Sequence, residues 1–182
     1  MAVRVQREDF DLGAELAALT AGRTDIGGVA SFVGIVRDRA NGSGGSGGSG
    51  DPPVVAPPIV AMTLEHYPGM TEKALAEIEA EARRRWPLTA SLIVHRYGRL
   101  APGDNIVLVA TAAAHRHAAI EACQFLIDWL KTDAPFWKLE ETADGERWVE
   151  ARAEDDAAAA RWREADGRRT APASGESPSK KV

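Results

Sequence analysis

Apolar and polar positions along this chain switch between two periods, and the switching predicts strands and helices in turn. Gly28 to Val36, GVASFVGIV, is an apolar run that opens on glycine, which predicts a strand with little polarity on either face. From Ile59 to His66 the apolar positions Val60, Met62 and Leu64 recur at every second residue, the mark of a half-buried strand. Over Thr71 to Trp86 the period lengthens. Leu75, Ile78, Ala82 and Trp86 fall on one helical face, and Pro87 ends the helix. Ser91 to Tyr97 and Asn105 to Ala112 again read as strands, joined by a loop with the turn signal Ala-Pro-Gly-Asp. His115 to Lys131 carries the strongest helical stripe, through Ile120, Cys123, Ile127 and Leu130. Phe136 to Glu141 and Arg147 to Ala151 flank Ala-Asp-Gly-Glu and predict a β-hairpin. An Ala-rich helix from about Glu154 to Glu164 closes the series. The sum is an α+β domain with a partly antiparallel sheet.

Two stretches break the pattern. Asn41 to Pro58, NGSGGSGGSGDPPVVAPP, offers no side chains to bury and reads as a flexible loop inside the domain. It lacks the Gly-Lys-Ser/Thr ending of a phosphate-binding P-loop. The tail from Asp166 to Val182 is rich in Gly, Pro, Ser and charge, and is expected to be disordered. Residues 1–165 then form a single domain, the size that a 182-residue chain with 45% hydrophobic residues can support. No apolar run approaches the roughly 18 residues of a membrane-spanning helix, and the charged start MAVRVQREDFDLG does not suit a signal peptide. A single cysteine, Cys123, forbids an internal disulfide and fits a reducing cytoplasm. A net charge of −5 argues against nucleic-acid binding by bulk charge, even with the run Arg83-Arg84-Arg85, which reads as surface charge complementing a helix C-terminus.

Charge type is more telling than charge sum. The basic residues are mostly Arg, yet Lys131 and Lys138 stand seven apart in LKTDAPFWKLEE. An ammonium can give up a proton when desolvated, whereas a guanidinium cannot, so lysine suits proton transfer as well as a solvated surface. Glu140 shares a strand face with Lys138 and can pair with it. Arg37 and Arg39 sit where a strand enters the mobile stretch, and a guanidinium fork fits phosphate or carboxylate. His115 and Arg116 open the best helix, whose free N–H groups and dipole favour an anion. His66 and His95 fall on strands apart from that helix start and read as structural. Cys123 lies on an apolar stripe and reads as core rather than nucleophile. No metal-spaced cluster and no Ser-His-Asp signature occur, so neither a metal nor a cofactor is called for.

At these residues the chain resembles a known family. LEHYPGMTEKALAEIEAEARRRWP, IVHRYGRLAPGD, AHRHAAIEACQFLIDWLKTDAPFWKLEE and GERWVEA, in that order, are similar to the catalytic large subunit of molybdopterin synthase from about Gly28 to Trp162. The Gly/Ser/Pro stretch is longer than that family's usual loop. The resemblance implies an α/β hammerhead fold with an additional antiparallel β subdomain. It implies a sulfurtransferase acting on cyclic pyranopterin monophosphate, precursor Z. The sulfur donor would be the C-terminal Gly-Gly thiocarboxylate of a small ubiquitin-like subunit, inserted into the large subunit's pocket. Two such transfers make the dithiolene of molybdopterin, in a heterotetramer built on a dimer of large subunits. Carried onto this sequence, the resemblance makes Lys131 and Lys138 catalytic. It assigns substrate contact to Ile35, Val36, Arg37, His115, Arg116, Lys131, Lys138, Leu139 and Glu140. Arg37 and Arg116 would then hold phosphate, Lys131 would neutralise the thiocarboxylate, and either lysine could serve as general acid. A second reading is a noncatalytic module that captures the tail of a ubiquitin-like protein.

Overall fold

The computed structural model describes residues 3–38, 57–149 and 160–162. Arg39, the Gly/Ser run and the C-terminal tail lie outside them, as does most of the Ala-rich stretch, of which residues 160–162 are helical. The elements are β1 (Val3–Gln6), α1 (Leu12–Thr20), β2 (Gly28–Ile35), β3 (Ile59–His66), α2 (Met70–Arg85) and β4 (Leu88–Arg96). There follow β5 (Gly98–Leu100), β6 (Asn105–Ala113), α3 (Arg116–Thr132), β7 (Phe136–Thr142) and β8 (Gly145–Val149). They form two four-stranded sheets rather than one. The first has the order β1-β4-β6-β2, with β1 parallel to β4 and the other pairs antiparallel. The second, β5-β3-β7-β8, is antiparallel throughout.

Strand alternation decides what lies on each face of the first sheet. On one side Ile93 of β4 and Val109 of β6 meet Leu75, Ile78 and Ala82 of α2 and Phe125 and Leu126 of α3. Their neighbours Leu92, Val94, Leu108 and Ala110 point to the other side, where Phe10 and the α1 residues Leu16 and Leu19 cover them. A smaller core of Val36, Met62, Leu64 and Leu100, with Ile106 packed against it, sits under the second sheet. The expected helical face of α2 is buried in full. On α3 the buried stripe runs through Ala118, Ala119, Ala122, Cys123, Phe125 and Leu126, and Ile120 is 55% exposed instead of inward. Small residues carry this face because α3 lies close on β6, where the Thr111 hydroxyl donates to the Ala119 carbonyl at 2.7 Å.

The ends of the helices are capped in recognisable ways. Asp11 accepts from the Ala14 N–H at 2.7 Å at the start of α1, and Glu72 reaches back to the Gly69 N–H at 2.6 Å at the start of α2. At the end of α2, Arg84 stays in solvent and pairs with Glu81. Arg85 does not behave as surface charge. Its side chain is buried, pairs with Glu81 and lies over the Phe125 ring at 4.7 Å. The Arg85 guanidinium also donates to the Trp162 carbonyl at 3.2 Å.

Candidate active site

Three layers meet at one end of the molecule and leave a cavity of about 400 Å³. The C-terminal end of α3 supplies Ile127, Leu130 and Lys131. The inner face of the second sheet supplies Met62, Leu64, Phe136 and Lys138. The far end of the first sheet supplies Ile35, His95 and Val107, with Arg37 following β2. Lys131 and Lys138 reach one cavity because only Asp133, Ala134 and Pro135 separate the end of α3 from the start of β7. The chain reverses there, so a seven-residue spacing becomes two facing walls.

Arg37 projects from a braced backbone. On one side the Val36 N–H donates to Asp104 and the Val36 carbonyl accepts from Gly103, at 2.9 and 2.8 Å. On the other, the Ile59 N–H donates to the Asp38 carbonyl at 2.8 Å. The two residues before Arg37 divide the work. Ile35 is exposed and lines the cavity, while the Val36 side chain is buried in the core of the second sheet.

Lys138 is two-thirds buried and pairs with Glu140 at 2.7 Å, and Arg147 of β8 pairs with the same carboxylate at 3.3 Å. Glu140 is 3% exposed. Burial pushes its carboxyl up, but the hydrogen bonds and charges of Lys138 and Arg147 outweigh burial and hold it below the ordinary value. It therefore stands behind Lys138 as a fixed anion that aims the ammonium. Leu139 points away, to the opposite face of β7, where it lies across from Thr63 and Trp148.

His115 and Arg116 are not in this cavity. They sit exposed at the start of α3, where His115 is the N-cap. Lys131 is in the last turn, and a 17-residue helix is about 25 Å long. The start of α3 adjoins the beginning of β2, where a Cβ on Gly28 would stand 3.5 Å from the Arg116 Cα. Cys123 is buried, and burial pushes its thiol up to about 11, which suits a core residue and not a nucleophile.

His95, on a strand whose pattern gave it no role, lines the cavity floor. Its ring stacks on Phe136 with centroids 3.7 Å apart and planes 16° apart. Its Nδ1 lies 2.9 Å from the Arg96 carbonyl, and burial drives its pKa down to about 4. No local signal marks this residue, because the stack joins β4 to β7 across more than forty positions.

Known proteins resemble this chain over most of its length. Residues 5–133 match the model of the MoaE protein family. The molybdopterin synthase catalytic subunit of Ralstonia nicotianae is 56% identical over 160 residues, which cover 88% of this chain and 83% of that protein. The subunit of the same name from Pseudomonas aeruginosa is 55% identical over 164 residues, 90% of this chain and all of that one. The solved structure of the molybdopterin biosynthesis MoaE protein from Burkholderia ambifaria superimposes with a TM-score of 0.70 at 56% identity, covering 89% of this chain and 98% of that one. Matches of this extent cover most of the chain, and on them it belongs to the MoaE family.

Proposed function

We propose that this chain is the catalytic subunit of a molybdopterin synthase. It transfers sulfur from the C-terminal Gly-Gly thiocarboxylate of a small ubiquitin-like subunit to cyclic pyranopterin monophosphate, and makes the dithiolene of molybdopterin for molybdenum cofactor biosynthesis. The observation that carries this reading is the cavity on which Arg37 from the segment after β2, Lys131 of α3 and Lys138 of β7 converge. Substrate and donor are both anionic, so a site that brings them together has to supply cations before any chemistry starts. Arg37 offers a fork for phosphate. In this reading Lys131 neutralises the thiocarboxylate, and Lys138, paired with Glu140, gives a proton to departing oxygen. The related proteins are called catalytic subunits, a name that itself requires another subunit. The first sheet with its helices is read as the α/β hammerhead, the second sheet as the added antiparallel subdomain, and the cytoplasm as the compartment.

His115 and Arg116 enter this reading through a second copy. Among the described residues β2 is an edge strand with an uncharged sequence, and Val29, Phe32 and Ile35 on it are exposed. Antiparallel pairing of two β2 edges sets the beginning of one strand beside the end of the other. Arg116 of the partner subunit, next to Gly28, then comes to the end that carries Arg37. A homodimer so built, with a small subunit at each end, is the heterotetramer proposed here. The test is mass spectrometry of the pterin after mixing the chain with precursor Z and the thiocarboxylated small subunit. Gain of two sulfurs supports the reading. An unaltered pterin with both partners bound would favour the noncatalytic capture module.

A further inference from the structure

The cations of the cavity account for the anionic ends of its ligands and leave the rest of the ligand without a partner. Arg37, Lys131 and Lys138 only donate hydrogen bonds, and the Thr132 hydroxyl donates to the Asp128 carbonyl at 3.1 Å. His95 is the one lining side chain among the described residues that carries a nitrogen lone pair. Its tautomer follows from its neighbour. The Arg96 carbonyl can only accept, so Nδ1 holds the proton and Nε2 is bare. The imidazole is also fixed in place, by the parallel stack on Phe136 and by burial that leaves 7% of the residue exposed.

We propose that His95 is a ligand-orienting residue of this site, whose Nε2 accepts a hydrogen bond from an N–H of the bound heterocycle. This rests on the function proposed above. A bare acceptor at the floor of a cation-lined cavity sorts the two ends of such a ligand. It repels the lone pairs of a phosphate or thiocarboxylate, which the cations take, and it attracts the N–H edge of a pterin. The depressed pKa keeps the imidazole neutral at physiological pH, so it stays an acceptor. The same stack ties the orienting group to the machinery, since Phe136 lies two residues before Lys138 on the same face of β7. The small subunit's tail also carries N–H groups, and the test separates the two sources.

Three variants, H95F, H95Q and H95N, are titrated calorimetrically with precursor Z and, separately, with the small subunit bearing a plain carboxylate tail. H95F keeps an aromatic ring against Phe136 and removes both nitrogens. The Gln amide reaches about as far as Nε2, and the Asn amide only as far as Nδ1. We expect H95F and H95N to lose about tenfold in pterin affinity, H95Q to recover most of it, and small-subunit affinity to stay put in all three. Were the histidine there only for its ring, H95F would bind like wild type and H95Q would be the weakened variant, which overturns the proposal. Loss confined to the small subunit overturns it too. If H95F does not fold, the contrast between H95Q and H95N decides alone, and equal affinities refute the acceptor role. A wild-type chain that binds no precursor Z would sink the proposed function itself, whereas wild-type binding with all variants alike would sink only this inference.

Discussion

Lys131 and Lys138 differ from Lys73 in what surrounds them, and that difference sets the outcome of removing each. Lys131→Ala takes a cation from the mouth of the cavity without opening the core, so the fold should survive and sulfur transfer should fall by at least about 100-fold. Lys138→Ala should cripple turnover as well, and among the described residues it leaves the buried Glu140 with Arg147 as its ion-pair partner. Lys73→Ala is the control, since that side chain is exposed and meets Glu77 at 3.9 Å. A folded Lys131→Ala protein that keeps a substantial fraction of wild-type turnover would end the catalytic assignment. Residue type made these positions visible in the sequence, because lysine is scarce here and two stand near a helix end. His95 was not visible on the same terms, for its meaning comes from Phe136 and from a carbonyl one residue away. It carries a pH signature all the same. Folded His95 titrates at about 4 against the ordinary 6.5, so between those values the unfolded chain binds a proton that the native chain refuses. Stability is full above about pH 6.5 and falls as the pH drops, by up to about 3 kcal/mol near pH 4. Thermal melts of wild type from pH 7.5 to 4.5 should show this decline, and H95Q should flatten it above pH 5. Parallel curves for the two proteins would show that another group is responsible.

Elements with a long stripe or a long alternation were legible from the chain. β2, β3, β6, α2, α3 and the β7–β8 hairpin fall within a few residues of their expected places. β1, α1 and β5 were missed for physical reasons. β1 and β5 are four and three residues long, too short to show a period. α1 buries no residue completely, so its sequence LGAELAALT has little contrast between faces. The division into two sheets was beyond local pattern, because β3 finds its neighbours β5 and β7 far along the chain. Contacts between elements also expose a weak point before β2. Gly27 donates to the Ala113 carbonyl at 3.0 Å, and a Cβ there would meet the Ala114 carbonyl oxygen at 2.1 Å. Backbone has to move to admit it. Gly27→Ala should therefore cost about 3 kcal/mol in chemical denaturation. An unchanged midpoint would mean that the β2 entry and the α3 start part freely.

At the scale of the whole molecule, one copy keeps its two cationic clusters at opposite ends of α3. The functional reading needs them together, and a pair of copies joined at β2 would unite them. This makes a prediction that no single-chain site shares. Arg116→Ala and Lys131→Ala should each be inactive alone, yet mixing them under conditions that exchange subunits should restore part of the activity. In the mixed dimer one cavity keeps both its own Lys131 and the neighbour's Arg116. No recovery on mixing, with exchange verified by native mass spectrometry, would place both residues' work within one chain. The resemblance had brought Arg37, Arg116 and the two lysines into a common pocket, and sequence motifs cannot say which copy a residue serves.

The clasp between Ile59 and Asp38 has a practical side. It holds Asp38 beside Ile59 immediately after Arg37. A segment spliced between these two residues would have its ends anchored by that hydrogen bond. Loop-closure entropy rises slowly with length, by about 0.6 kcal/mol per doubling. The junction is thus a ready port for an epitope or a fluorescent reporter, one that would ride beside the cavity.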